Sequence, residues 1–451
     1  MRMWGGLLVV AVAAGRTVEG QSPTLSLAEA LSRAEHGAYA NRIADAQARV
    51  AEGQAAFALK GVLPGVRLEG GYVRTTDPLG AFGSTLRQRT VTSAAFEPAR
   101  LNHPLAIGNL TSALVLEQPI FNADALLGRR AASRAGEAAR ASASWTTTGT
   151  QVDVVRAYYG AVLAVESVTT LDSASRAAHA HERIAASRHR NGLATRSDVL
   201  LAAVRAGEVD VQLVAARGAV RLSRAHLAIV LGTPGEAGFT LPDRLPAAAA
   251  ILDLAITPDS GALERADVRA AELSLEAASA DAQRASSLLL PRVNAFGRLD
   301  WSSADRPFGG RDAWTAGVIV SWSLFGGGAE LAERRVAQAR RAAAEAGVEA
   351  SVARGRLEQD EAANALEVAR ARMTITERAV AQSGEAHRIV IRKYEGGLAT
   401  AVELFDAAAA ETGARLGYAE ARYQAIVALA MSRRSTGRSL DLLTRLDPME
   451  P

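Results

Sequence analysis

Cysteine is absent from the 451 residues, which excludes disulfides, thiolate metal sites and a lipid anchor on an N-terminal cysteine. Lysine occurs only at Lys60 and Lys393, so nearly all of the 51 basic residues are arginine. The arginines are interspersed with 48 acidic residues, the formal net charge is only +3, and no dense basic block forms. A nucleic-acid partner is therefore not expected. Aromatic residues make up only 5% of the chain, and alanine fills much of the apolar share. Alanine is the best helix former and lets helices approach closely, so the composition favours long, tightly packed helices over an aromatic-rich core. Beyond the N-terminus no uncharged apolar run reaches 18 residues, the length a membrane-spanning helix needs.

The first residues, MRMWGGLLVVAVAAGRTVEGQ, place Arg2 before an apolar run from Trp4 to Ala14. That pattern is a secretory signal peptide over residues 1–20, and the run is too short to span a bilayer. An exported chain without a spanning helix is periplasmic, secreted or a membrane β-barrel.

Helical spacing of Leu27, Ala30, Leu31 and Ala34 predicts helix from Ser26 to Lys60, stopped at Leu63–Pro64. VRLEGGYVRTT then predicts a strand over about 65–76, and the polar segment 77–104, which holds Gly80, Gly83, Pro98 and Pro104, reads as a long loop. A second strand is expected over about 108–121. From Asn122 to Asn191 there is no proline and little glycine, and Val152, Val155, Tyr159, Val162 and Leu163 recur at helical spacing. Such a rod would be roughly 100 Å long, far beyond an ordinary globular helix. Gly192 breaks it, a second helix runs to about Leu231, and the proline-rich stretch 232–261 is a connector.

The same order then recurs. Helix 262–289 leads to strands at about 292–302 and 313–325, another long helix, glycines at 396–397 and a last helix to about Arg434. Val293, Ala295, Gly297, Leu299 and Trp301 share one face of the third strand. Trp314, Ala316, Val318, Val320, Trp322 and Leu324 share one face of the fourth. That apolar face fits either the lipid side of a barrel or a sandwich strand covered by helices. The tail 435–451 is short and polar, and is expected to be partly ordered at most. Leu63–Pro64 is matched by Leu290–Pro291, and GLAT at 192–195 by GLAT at 397–400. The chain thus reads as an internal duplication of repeats 26–231 and 262–434. Four strands cannot close a barrel, and an open edge is not tolerated in lipid, so oligomerisation is required.

Taken in order, LSLAEAL (25–31), LPGVRLEGGY (63–72), LEQPIFN (116–122), RNGLATRSDVL (190–200), ERADVRAAE (264–272), LLPRVNAFG (289–297), VSWSLFGGG (320–328) and KYEGGLATAVELFDA (393–407) resemble the outer membrane efflux protein family, of which the TolC-like channels are familiar members. The resemblance covers about Ser26 to Arg434. It implies a mixed α/β membrane protein: a homotrimer whose twelve-stranded outer-membrane β-barrel, four strands per chain, continues into a long periplasmic α-helical barrel. A mixed α/β belt would surround the tube, formed partly by the 232–261 connector and the C-terminal region. The function implied is a passive exit duct in the cell outer membrane, embedded in its lipid and reaching into the periplasm. A periplasmic adaptor protein would join it to an inner-membrane pump.

The resemblance also assigns residues. Glu403 and Asp406 match two acidic positions that ring a constricted entrance, where crowding would raise some carboxylate pKa values. An ordinary solvated helix start is the alternative. Asp198 and Tyr394 match positions that hold neighbouring hairpins closed; otherwise Asp198 caps its helix and Tyr394 packs a helix end. An arginine usual in that network is replaced by Ala399, so the closure is rewired or weakened, with Arg196 and Arg392 as substitutes. Gly192, Leu193 and Thr195, with Gly397, Leu398 and Thr400, would contact the adaptor, unless each leucine merely closes its own hairpin. His179, His181 and His189 do not form a ligand face, and no metal or cofactor is expected. The glycines 326–328 lack the Lys-Ser/Thr of a phosphate loop, and no nucleophile–base or paired-acid order stands out, so no catalysis is expected. The competing class is a non-conducting periplasmic coiled-coil scaffold or adaptor.

Overall fold

A computed structural model describes residues 24–235, 238–256 and 265–447. The expected signal peptide lies outside them. Ser26 caps α1 (Leu27–Gly37) through the Glu29 amide, and α2 (Tyr39–Phe57) follows after a break at Ala38, whose backbone is extended. The expected single helix is broken because Gly37 meets another backbone: a Cβ built on Gly232 would stand 2.0 Å from the Gly37 carbonyl oxygen. Only glycines allow that contact, and Gly232 also has a φ of +78°.

Strand β1 (Gly65–Thr75) is followed by α3 (Pro78–Arg87) and α4 (Pro98–Asn102). The segment expected to be a loop is thus partly helical. Asp77 accepts from the Gly80 amide with Pro78 in the first turn, and Pro98 also opens its helix. Strand β2 (Ile107–Phe121) leads into α5 (Ala123–Arg190), an unbroken helix of 68 residues and about 100 Å. Next come α6 (Arg196–Val230), the short α7 (Ala248–Ile256) within the connector, and α8 (Ala266–Ser287). Strands β3 (Arg292–Ser303) and β4 (Arg311–Ser321) precede α9 (Ala329–Glu395) and α10 (Ala401–Ser435). Strand β4 stops before Trp322 and Leu324, so the expected apolar face is shorter by those two residues. The indole nitrogen of Trp322 instead donates to the Leu289 carbonyl.

Helices α2 and α6 both pack along α5, and α8 and α10 both pack along α9. The buried contacts are rich in alanine, such as Ala143, Ala161, Ala206, Ala362 and Ala425, which lets the rods lie close together. One apolar core gathers α1, the middle of α5, the ends of α6 and α10, the connector and the tail. The tail is not loose: Leu440, Leu443 and Leu446 are buried, and buried Asp447 accepts from the Leu27 amide at 2.7 Å. The sequence reading missed this because three leucines at three-residue spacing in a polar stretch gain meaning only from the groove they fill.

The four strands form one antiparallel sheet in the order β1-β2-β3-β4, so both β1 and β4 are edges. Register separates the two faces. Leu68, Leu114, Leu299 and Trp314 are paired in one row; Val66, Leu116, Gly297 and Ala316 form another. Val318 and Val320 continue this face, which helices do not cover: Trp314 is 77% and Val318 64% exposed. On the opposite face Arg67 pairs with Glu117 at 3.0 Å, while Arg298 bridges Glu69 at 2.9 Å and Asp300 at 2.7 Å.

Candidate functional site: the paired helical tips

The two hairpins, α5–α6 and α9–α10, end in turns built alike. Helix α5 stops because Gly192 adopts a φ of +72°, and α9 because Gly397 adopts +75°. At each end the following leucine amide returns to the helix, Leu193 to the Arg188 carbonyl (2.8 Å) and Leu398 to that of Lys393 (2.7 Å). The glycine amides bond to His189 and Tyr394. This double closure satisfies the last carbonyls of each helix, and its left-handed position favours glycine. Two residues later Thr195 and Thr400 begin the returning helices, each in a reciprocal capping box. The Thr195 amide donates to Asp198 at 2.9 Å and the Thr400 amide to Glu403 at 2.7 Å. The leucines between are left in the open, Leu193 68% and Leu398 82% exposed.

These bonds set the local electrostatics. The Thr195 backbone amide and hydroxyl hold Asp198 below the usual carboxylate range, and those of Thr400 do the same for Glu403. In the single chain, then, Glu403 is shifted down rather than up. Asp406 lies one turn further along, exposed, with the Arg205 guanidinium 4.0 Å away. Asp198 and Tyr394 do not bond to each other within the chain. Tyr394 is buried beneath Arg188, whose guanidinium lies 4.7 Å from the ring centroid and donates to the Tyr394 carbonyl at 2.7 Å. Within the chain the arginine on Tyr394 is thus Arg188. Arg188 and Arg205 went unnoticed in the sequence, where each is one arginine among many on a helix. Only the last-turn position of Arg188 gave a signal, since cations favour helix C-termini.

Residues 258–438 match the family model described as Outer membrane efflux protein. The second half of the chain is thus similar to the outer membrane efflux protein family. No curated protein sequence matches it. Among solved structures it is similar to a membrane protein from Pseudomonas aeruginosa, at TM-score 0.75 and 19% identity, over 91% of this chain and 93% of that one. It is similar to the outer membrane protein VceC of Vibrio cholerae at TM-score 0.73 and 20% identity, over 92% and 97%. It is also similar to the Campylobacter jejuni CmeC outer membrane channel at TM-score 0.75 and 15% identity, over 99% and 96%. At these identities the shared property is the fold: one four-stranded sheet joined to long paired helices.

Proposed function

We propose that this chain is an outer-membrane channel protein of the efflux family, not an enzyme, and that three copies of it assemble into a passive exit duct. In this reading the chain is internally duplicated. Its four strands are one third of a twelve-stranded barrel, and its hairpins are one third of a periplasmic tunnel. The observation that carries the proposal is the sheet itself, with an uncovered apolar face, a charged opposite face and two open edges. In lipid the edges must pair, and β4 of one copy beside β1 of the next pairs them all. The apolar rows then meet lipid, and Arg67, Glu69, Glu117, Arg298 and Asp300 face a watery lumen. The description of CmeC as an outer membrane channel supports the same reading. A periplasmic scaffold has no use for such a sheet.

The paired tips are the entrance. Exposed Leu193 and Leu398, set by Gly192, Thr195, Gly397 and Thr400, offer apolar contact to a periplasmic adaptor, which joins the duct to an inner-membrane pump. Glu403 and Asp406 of three copies make an acidic constriction selective for cations, and Asp198 and Tyr394 belong to its closure. The test is single-channel conductance of the purified oligomer in planar bilayers, parent against E403A/D406A. A cation-selective parent whose selectivity falls in the variant supports the duct and its entrance. Silence from a folded oligomer, persisting when Asp198 and Tyr394 are also substituted, would overturn it in favour of the scaffold.

A further inference from the structure

A cavity of about 780 Å³ lies between α5, α6, α9 and α10. Its lining runs from Glu166 and Arg422 beside the central core to Arg205 and Phe405 toward the tips. Two histidines line it from different helices: His181 on α5 and His387 on α9, ring centroids 5.9 Å apart and planes at 70°. His387 is buried, and its Nδ1 lies 2.6 Å from the Glu411 carboxylate on α10. Glu411 is held in turn by Arg415 at 2.5 Å. A carboxylate at Nδ1 fixes the tautomer with its proton there and leaves Nε2 as a lone-pair donor. That Nε2, and both ring nitrogens of His181, are shielded from solvent and have no hydrogen-bond partner among the described residues. Buried ring nitrogens left unpaired are costly, so a group that pairs them is favoured.

We infer that His181 and His387 form a site for a divalent transition-metal ion bridging the two hairpins, with cavity water in the remaining coordination positions. Imidazole suits zinc, copper and nickel, and a carboxylate behind a ligating histidine is the usual support for such a ligand. The spacing fits as well: two ring nitrogens at about 2.0–2.1 Å from one ion bring the ring centroids to roughly 5–6 Å. Among the described residues no group of three or more His, Cys, Asp or Glu converges as for a metal. The site is thus a two-imidazole one whose ion exchanges, not a closed structural centre. No metal was expected from the sequence, where His179, His181 and His189 follow one another on one helix without a shared ligand face. The structure engages His179 with Asp210 at 3.0 Å and Glu182 at 3.1 Å, apart from the pair. The inference is independent of whether the tube conducts.

The experiment uses the untagged full chain in detergent, titrated with CuCl2 and ZnCl2 by calorimetry, with electron paramagnetic resonance on the copper form. One ion per chain is expected, with nitrogen couplings from two imidazoles. H181F and H387F should each weaken binding at least tenfold, and H179A should leave it unchanged. Absence of saturable binding overturns the inference, as does binding that survives both phenylalanine variants. Should those variants fold poorly, the copper spectrum of the parent decides: fewer than two nitrogen ligands refutes the site.

Discussion

Arg188 lies across Tyr394, its guanidinium 4.7 Å from the ring centroid and 2.7 Å from the same residue's carbonyl oxygen. The contact ties the end of α5 to the end of α9, residues 206 apart in sequence. Stacking of a partly buried arginine on a ring and its bond to a helix-terminal carbonyl together contribute about 1–3 kcal/mol. R188A should therefore speed amide exchange across 394–400, and R188K, which lacks the planar fork, should restore little of the protection. Unchanged exchange in R188A would refute the tie.

The capping carboxylates make the tips sensitive to acid in a defined direction. Asp198 and Glu403 titrate lower in the folded chain than in the unfolded one. Their contribution is thus complete above the ordinary carboxylate range, near about pH 4, and is lost as pH falls through the folded values. A D198N/E403Q variant should melt below the parent at pH 7, with the gap closing toward pH 3. A gap that is constant with pH would assign the effect to something other than the caps.

The tail is predicted to be structural. Leu443 is fully buried among α1, the connector and α10, so L443A should cost about 2–5 kcal/mol. Guanidinium unfolding monitored by circular dichroism checks this, and a loss below about 1 kcal/mol would show that the tail only lies on the core.

The two sheet faces should respond differently to charge. V318R adds arginine to the uncovered apolar face, where the penalty at mid-membrane is about 2–4 kcal/mol. T315R adds it beside Arg298 on the charged face. The first should deplete detergent-resistant oligomer from outer-membrane fractions, and the second should leave it largely intact. Equal tolerance of both would contradict a lipid-facing surface.

Much of this was legible in the chain because it rests on local chemistry. Proline-free alanine-rich runs define α5 and α9. Period-two alternation defines the strands, and a helix-breaking glycine in the repeated GLAT defines each tip. Residue type alone settles these, since a left-handed turn or a capping box involves neighbours a few positions apart. The break at Ala38, the burial of Leu440, Leu443 and Leu446, the seat of Arg188 on Tyr394 and the meeting of His181 with His387 were not legible. Each depends on a partner tens to hundreds of residues away, and nothing in the local pattern separates that arginine or histidine from others on the same helix. Sequence by itself determined the elements and their two-sided character. Only the tertiary structure decided which of their side chains face one another, because that choice belongs to the packing of the long helices and not to any one of them.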